Sequence, residues 1–159
     1  MRTGTVSVTV AVGLVWALAA GCGDDDGGDE ASGDGDGGEE VNVVISEFTV
    51  EPDPESVDAG EVTFVVDNQG GDTHEFLVVD ADSADALPVD DDGAFDEAAF
   101  GEDKVLDEVE DIESGATAEL TLDLEAGTYL LLCNVVEEEE SGEVESHFMK
   151  GMHATFTVE

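Results

Sequence analysis

From Val41 onward the chain is cut into short apolar runs: VNVVISEFTV, VTFVV, EFLVV, ATAELTLDL, TYLLLC and HATFTV, rich in β-branched and aromatic side chains. In ATAELTLDL the small or apolar residues Ala116, Ala118, Leu120, Leu122 and Leu124 share one face, and in HATFTV so do Ala154, Phe156 and Val158. That period of two belongs to a half-buried strand. Between the runs stand EPDP at 51–54, DAG at 58–60, NQGGD at 68–72, ESG at 113–115 and EAG at 125–127. Short strands with turn chemistry at this frequency predict an all-β sandwich. Residues 81–112 break the pattern: there Val105, Val109 and Ile112 have helical spacing, which predicts an insertion with a short helix or irregular loop.

The charge balance constrains partners and environment. Forty-three Asp and Glu face 3 Lys and Arg, a formal net charge of −40. Nucleic acid is excluded as a partner, because phosphate would be repelled rather than neutralised. Docking on an anionic lipid surface through the protein's own side chains is disfavoured for the same reason. So many carboxylates repel one another in dilute buffer, but at 1 M salt the Debye length falls to about 3 Å. The composition is therefore read as adaptation to high salt. A mostly disordered acidic chain does not fit, because apolar residues make up 41% and beyond residue 40 they fall in strand-length runs.

The N-terminal segment MRTGTVSVTVAVGLVWALAAGC carries a positive charge at Arg2, then an uncharged stretch, then small residues before Cys22. That is the layout of an export signal over residues 1–21. Its ending LAAGC resembles the lipobox of bacterial-type lipoproteins, which implies cleavage before Cys22 and lipidation of that residue. The alternative is an uncleaved membrane helix, since residues 3–20 are just long enough to span. Either way, the remainder is expected outside the cytoplasmic membrane and tethered to it. Residues 22–40 then form an acidic Gly/Asp-rich linker, which cannot bury a core and whose like charges extend it. It lacks the spacing of an EF-hand. The folded domain is expected over 41–159, as a monomer.

With Cys22 assigned to the lipid, Cys133 is the remaining thiol, so no intramolecular disulfide is available. A lone cysteine ending an apolar strand is most often packing. Its neighbours alter that reading. His74 follows a strand and a Gly-rich turn, while His147 and Met152 follow Cys133. A blue-copper site uses two imidazoles and a thiolate near one plane with a weak axial thioether, and soft sulfur with imidazole serves both copper oxidation states.

Residues 41–159 resemble the small cupredoxins of the plastocyanin and azurin type. The resemblance lies in VDAGEVTFVVDNQGGDTHEF, EAGTYLLLCN and HFMKGMHATFTV, in the family's order of first His, Cys, second His, Met and final strand. It implies a Greek-key β-sandwich with one mononuclear copper ion near one end, held by His74, Cys133, His147 and Met152. Asn68 and Asn134 are candidates for hydrogen bonds that hold the ligand loops, the alternative being ordinary turn residues. Met149, two places after His147, is the rival axial ligand. His153 begins the last strand and is read as a side chain beside the site. The departure from the family is residues 134–146 between Cys133 and His147, where relatives have only a few. An SG-centred turn at Ser141–Gly142 is expected to close this insertion as a hairpin, with the Glu137–Glu140 run as its solvated edge.

The function expected is one-electron transfer at the membrane, to or from a redox partner protein, with His147 near the surface and the acidic insertion helping to select that partner. The alternatives are copper storage or delivery, or a metal-free binding module. Three histidines are too few for a trinuclear cluster beside a mononuclear site, and neither a Ser-His-Asp pattern nor H-E-x-x-H is present, so no enzyme is expected.

Overall fold

The computed structural model describes residues 38–138 and 142–159. The expected signal segment, Cys22 and nearly all of the acidic linker lie outside these residues. Strands β1 (Glu39–Ser46), β2 (Thr49–Asp53), β4 (Gly60–Asn68) and β7 (Thr117–Leu124) form one sheet in the order β2-β1-β4-β7. Strands β3 (Ser56–Val57), β5 (His74–Val79), β6 (Val105–Ile112), β8 (Gly127–Leu132) and β11 (His153–Val158) form the second, in the order β3-β11-β8-β5-β6. β1 runs parallel to β4, and β3 to β11; the other pairs are antiparallel.

Alternation decides what fills the space between the sheets. Val41, Val43 and Ile45 of β1 and Val62, Phe64 and Val66 of β4 point inward, where they meet Phe76, Val78, Leu131 and Phe156 of the opposing sheet. Phe64 sits at the contact, with its ring 5.5 Å from Phe76 and 5.3 Å from Phe156. Such pairs contribute about 0.5–1.5 kcal/mol each beyond the area they bury.

The runs HEFLVV and TYLLLC do not alternate, because both faces of β5 and β8 are covered. Leu77, Val79, Leu130 and Leu132 point away from the sandwich interior into a second apolar cluster with Leu87, Phe95 and Phe148. The insertion after β5 supplies this roof. It holds a short helix α1 (Glu97–Phe100), capped by the Asp96 carboxylate accepting from the Ala99 N–H, and two single 3-10 turns.

The helical spacing at Val105, Val109 and Ile112 proves to be strand. Along β6, Val79 opposes Val105 while Val78 opposes Asp107, and Phe76 opposes Val109 while His74 opposes Ile112. One extra residue is therefore inserted at each place, and Asp111 takes a positive φ of 54° at the second. Two bulges shift the phase of a two-residue period, so apolar positions fall four and three apart as they would on a helix. Val105 packs on the outer cluster, whereas Val109 and Ile112 face the inner one.

The insertion after Cys133 closes as an antiparallel hairpin of β9 (Val136–Glu138) and β10 (Val144–Ser146), and Gly142 takes the positive φ of 81° that an SG turn calls for. At its base, the His147 N–H donates to the Val135 carbonyl at 2.9 Å. The added residues thus leave and return at one point, which brings Cys133 and His147 back together. Glu137 and Glu138 are exposed on the hairpin, and residues 139 and 140 lie outside the described set.

Candidate metal centre

Three elements meet at the end of the sandwich. β5 begins at His74, β8 ends one residue before Cys133, and the hairpin delivers His147. All three side chains are fully buried. The two imidazoles turn their Nδ1 atoms toward each other, 3.1 Å apart, and toward Cys133 Sγ, which lies 3.5 Å from Nδ1 of His147 and 3.8 Å from Nδ1 of His74. A point equidistant from these three atoms lies about 2.0 Å from each, which is bond length for imidazole nitrogen and a little short for thiolate sulfur on a first-row metal.

The backbone holds this arrangement from several sides. The Cys133 N–H donates to the Met152 carbonyl and the Met152 N–H to the His147 carbonyl, both at 3.0 Å. The Glu75 N–H approaches Cys133 Sγ at 3.5 Å. Met152 is fully buried in the inner core with Cys133, whereas Met149 is 63% exposed. His153 lies outside the donor group, half-buried with its ring 5.6 Å from Phe148.

Asn68 and Asn134 each make side-chain hydrogen bonds. Asn68 is fully buried, and its Nδ2 donates to the carbonyls of Asp72 at 2.9 Å and Ile112 at 2.8 Å, while its Oδ1 accepts from the Gly70 N–H at 2.9 Å. It closes the turn that leads into His74 and pins that turn to the end of β6. Asn134 faces the roof: its Oδ1 accepts from the Phe95 N–H at 2.6 Å and its Nδ2 donates to the Phe95 carbonyl at 3.0 Å. Its backbone N–H donates to the Glu75 carboxylate at 2.8 Å.

Several contributors went unread in the sequence. Glu47 and Phe48, from the turn between β1 and β2, each attend one histidine. Glu47 Oε1 accepts from the N–H groups of Gly71 at 2.6 Å and Asp72 at 2.8 Å and lies 3.4 Å from His74 Nε2. The Phe48 and His147 rings pack in a T shape with centroids 5.1 Å apart, and the Lys150 ammonium lies over the Phe48 ring, 5.4 Å from its centroid. His147 is therefore covered, contrary to its expected place near the surface. Ser146 Oγ donates to the Gly93 carbonyl at 2.7 Å and accepts from the Met149 N–H, tying the His147 loop to the roof. Only an acid and an aromatic in a generic turn signalled the Glu47–Phe48 pair, and neither carries a motif.

The electrostatics follow from burial. Desolvation pushes the Cys133 thiol up to about 11, so without a metal it keeps its proton. Desolvation, then the neighbouring His74, hold His147 below the ordinary imidazole range. Glu75 is raised to about 7, chiefly by burial, with Glu108, Glu97 and Glu110 adding to the rise against the lowering hydrogen bond from Asn134. Glu47 goes the other way, to about 2, because the Asp72 backbone N–H leads a set of hydrogen bonds to its charged form.

Packing alone gives no reason for this cluster. Nε2 of both histidines is buried without a hydrogen-bond partner, and such an unsatisfied group costs about 1–3 kcal/mol. Two imidazoles and a thiol turned toward one buried point, with Met152 buried in the same cluster as Cys133, present soft donors. They suit a thiophilic transition metal and fit a hard cation such as calcium poorly.

No protein-family model matches the sequence, and no curated protein matches it. Solved structures do. Dithionite-reduced auracyanin from the photosynthetic bacterium Roseiflexus castenholzii is 18% identical, the match covering 77% of this chain and 99% of that one at a TM-score of 0.52. Auracyanin B is 20% identical, covering 76% of this chain and 88% of its own at a TM-score of 0.53. The chain has the cupredoxin fold that its sequence resembles.

Proposed function

We propose that this protein is a one-electron carrier with a single type 1 copper ion, exported and held at the outer face of the cytoplasmic membrane by a lipid on Cys22. The observation that carries the reading is the convergence of His74 Nδ1, His147 Nδ1 and Cys133 Sγ on one buried point. Copper bound there would supply reversible one-electron chemistry. His74 and His147 would give the imidazole ligands, Cys133 the thiolate, and Met152, buried beside them, the weak axial thioether. Met149, being exposed, is set aside as axial ligand. The buried thiol must lose its proton for the site to fill, and the Glu75 N–H directed at Sγ helps to hold the resulting charge.

Carriage of electrons is favoured over delivery of copper by the ties on the ligand loop. Delivery needs a loop that opens. The bonds from the Met152 N–H to His147 and from the His147 N–H to Val135 tie the His147 backbone in place against such an opening. A redox partner protein at the membrane would complete the pathway.

The test is to load the protein with Cu(II) in molar salt and record its visible spectrum beside that of Cys133→Ser. An intense thiolate-to-copper band in the first, absent from the second, is expected. No band in either refutes the copper reading. Loss of metal on each redox cycle would transfer the assignment from carrier to delivery protein.

A further inference from the structure

The two histidines are treated unequally by one turn. Glu47 and Phe48 are consecutive, yet the acid reaches His74 and the aromatic reaches His147. Nε2 of neither histidine makes a hydrogen bond, but His74 Nε2 has a carboxylate oxygen of Glu47 close by, at 3.4 Å. That oxygen is not free to wander: the N–H groups of Gly71 and Asp72 hold it. Both belong to the turn that Asn68 closes just before His74. The carboxylate is thus anchored to the segment that carries the histidine it faces.

We propose that Glu47 is the positioning residue of His74, fixing the imidazole proton on Nε2, freeing Nδ1 for a metal and biasing that metal toward its oxidised state. A ligating histidine generally presents its second ring nitrogen to a carboxylate, carbonyl or water, which sets the tautomer and raises ligand basicity. Near His74 Nε2, the described residues place the Glu47 carboxylate at 3.4 Å. The Nδ1–Nδ1 contact of 3.1 Å fits either ring as donor, and the carboxylate beside His74 chooses between them. Two neutral rings that close need one donor and one acceptor. With the His74 proton on Nε2, its Nδ1 accepts and His147 Nδ1 donates. Filling the site would then move the His147 proton from Nδ1 to Nε2, release the Cys133 thiol proton to solvent and leave His74 as it stands. The negative charge of Glu47 favours the more positive oxidised site, so it lowers the reduction potential.

A purely structural role for Glu47 would consist of accepting the two N–H bonds of Gly71 and Asp72. Glu47→Gln keeps an oxygen for those bonds and removes only the charge, so it separates the two roles. Glu47→Asp keeps the charge and serves as the rescue variant. Asp123→Asn corrects for the loss of one charge anywhere on the protein, because Asp123 pairs with Glu61 near the far end of β4 from Asn68.

Two measurements on the full chain test the proposal. In the metal-free protein, nitrogen NMR of the imidazoles should find the His74 proton on Nε2; a proton on Nδ1 overturns the assignment. This readout needs no copper and stands even if the copper reading above, on which the second arm rests, is wrong. In the copper-loaded protein, Glu47→Gln should shift the oxidised-to-reduced ratio at fixed applied potential by three- to tenfold toward reduced, tenfold being about 59 mV for one electron. Glu47→Asp should recover most of that shift, and Asp123→Asn should show little of it. A Glu47→Gln shift no larger than that of Asp123→Asn overturns the proposal. Absence of a thiolate-to-copper band in the unmutated protein would instead count against the copper reading alone.

Discussion

Replacing Asn68 with aspartate should damage the protein more than replacing it with alanine. In the native chain, Nδ2 of Asn68 donates to the carbonyls of Ile112 at 2.8 Å and Asp72 at 2.9 Å, and Oδ1 accepts from Gly70. Alanine deletes all three bonds and strands the Ile112 carbonyl, whose bond to Asn68 is buried. A net bond is worth about 1 kcal/mol and a buried orphan about 1–3, so a loss of about 3 kcal/mol is expected. Aspartate keeps the acceptor for Gly70 but sets a negative charge against two carbonyl oxygens at hydrogen-bond distance, which is repulsive where the amide was attractive. Its folded-state pKa must therefore lie above its unfolded value. The excess destabilisation is present at neutral pH and shrinks as pH falls and the carboxyl gains a proton it can donate. The assay is urea unfolding in molar salt at several pH values, each variant referred to the unmutated protein at the same pH. Aspartate equal to or better than alanine at pH 7, or a gap that widens on acidification, would refute the reasoning.

Copper affinity should rise about tenfold per pH unit from pH 7 to beyond pH 9, because the apo thiol of Cys133 keeps its proton to about 11; competition with a chromophoric chelator would show a plateau near 8.5 if the thiol were ordinary. Replacing the hairpin from Val136 to Glu145 with a two-residue turn should leave the thiolate band in place and change stability by less than about 1 kcal/mol, since closure cost varies slowly with loop length and Val135 and His147 already meet. Loss of the band on this deletion would show that the hairpin shapes the site. Refolding yield and unfolding midpoint should climb steeply with NaCl into the molar range, as screening relieves a net charge of −40; full stability in dilute buffer would dismiss adaptation to salt.

What could be read from the sequence was what repeats locally or carries a rare side chain. The alternation in ATAELTLDL survives as β7, and the order of His74, Cys133, His147 and Met152 survives as one buried neighbourhood. In β6 two bulges reproduce helical spacing, and they show only in its register against β5. Glu47 and Phe48 were invisible for a related reason. They lie more than twenty residues before His74, and only the parallel pairing of β1 with β4 brings their turn to the site. The cover over His147 follows from that same turn, so its burial could not be expected from HFMKGM alone.

The bulges of β6 make it a poor template for pairing with a second copy of the chain. β6 is the outer strand of its sheet, and its carboxylates Asp107, Glu108 and Glu110 discourage a second chain from adding to that edge. Salt concentrated enough to relieve crowding within the molecule also mutes repulsion between molecules, because the same ions screen both. A distorted backbone is not screened. With its ladder broken twice, β6 offers an approaching strand no long run of evenly spaced donors and acceptors. At the opposite edge, β3 is only two residues long. In brine, where charge cannot keep sheets from fusing, irregular and abbreviated edges supply protection against aggregation that does not weaken with ionic strength.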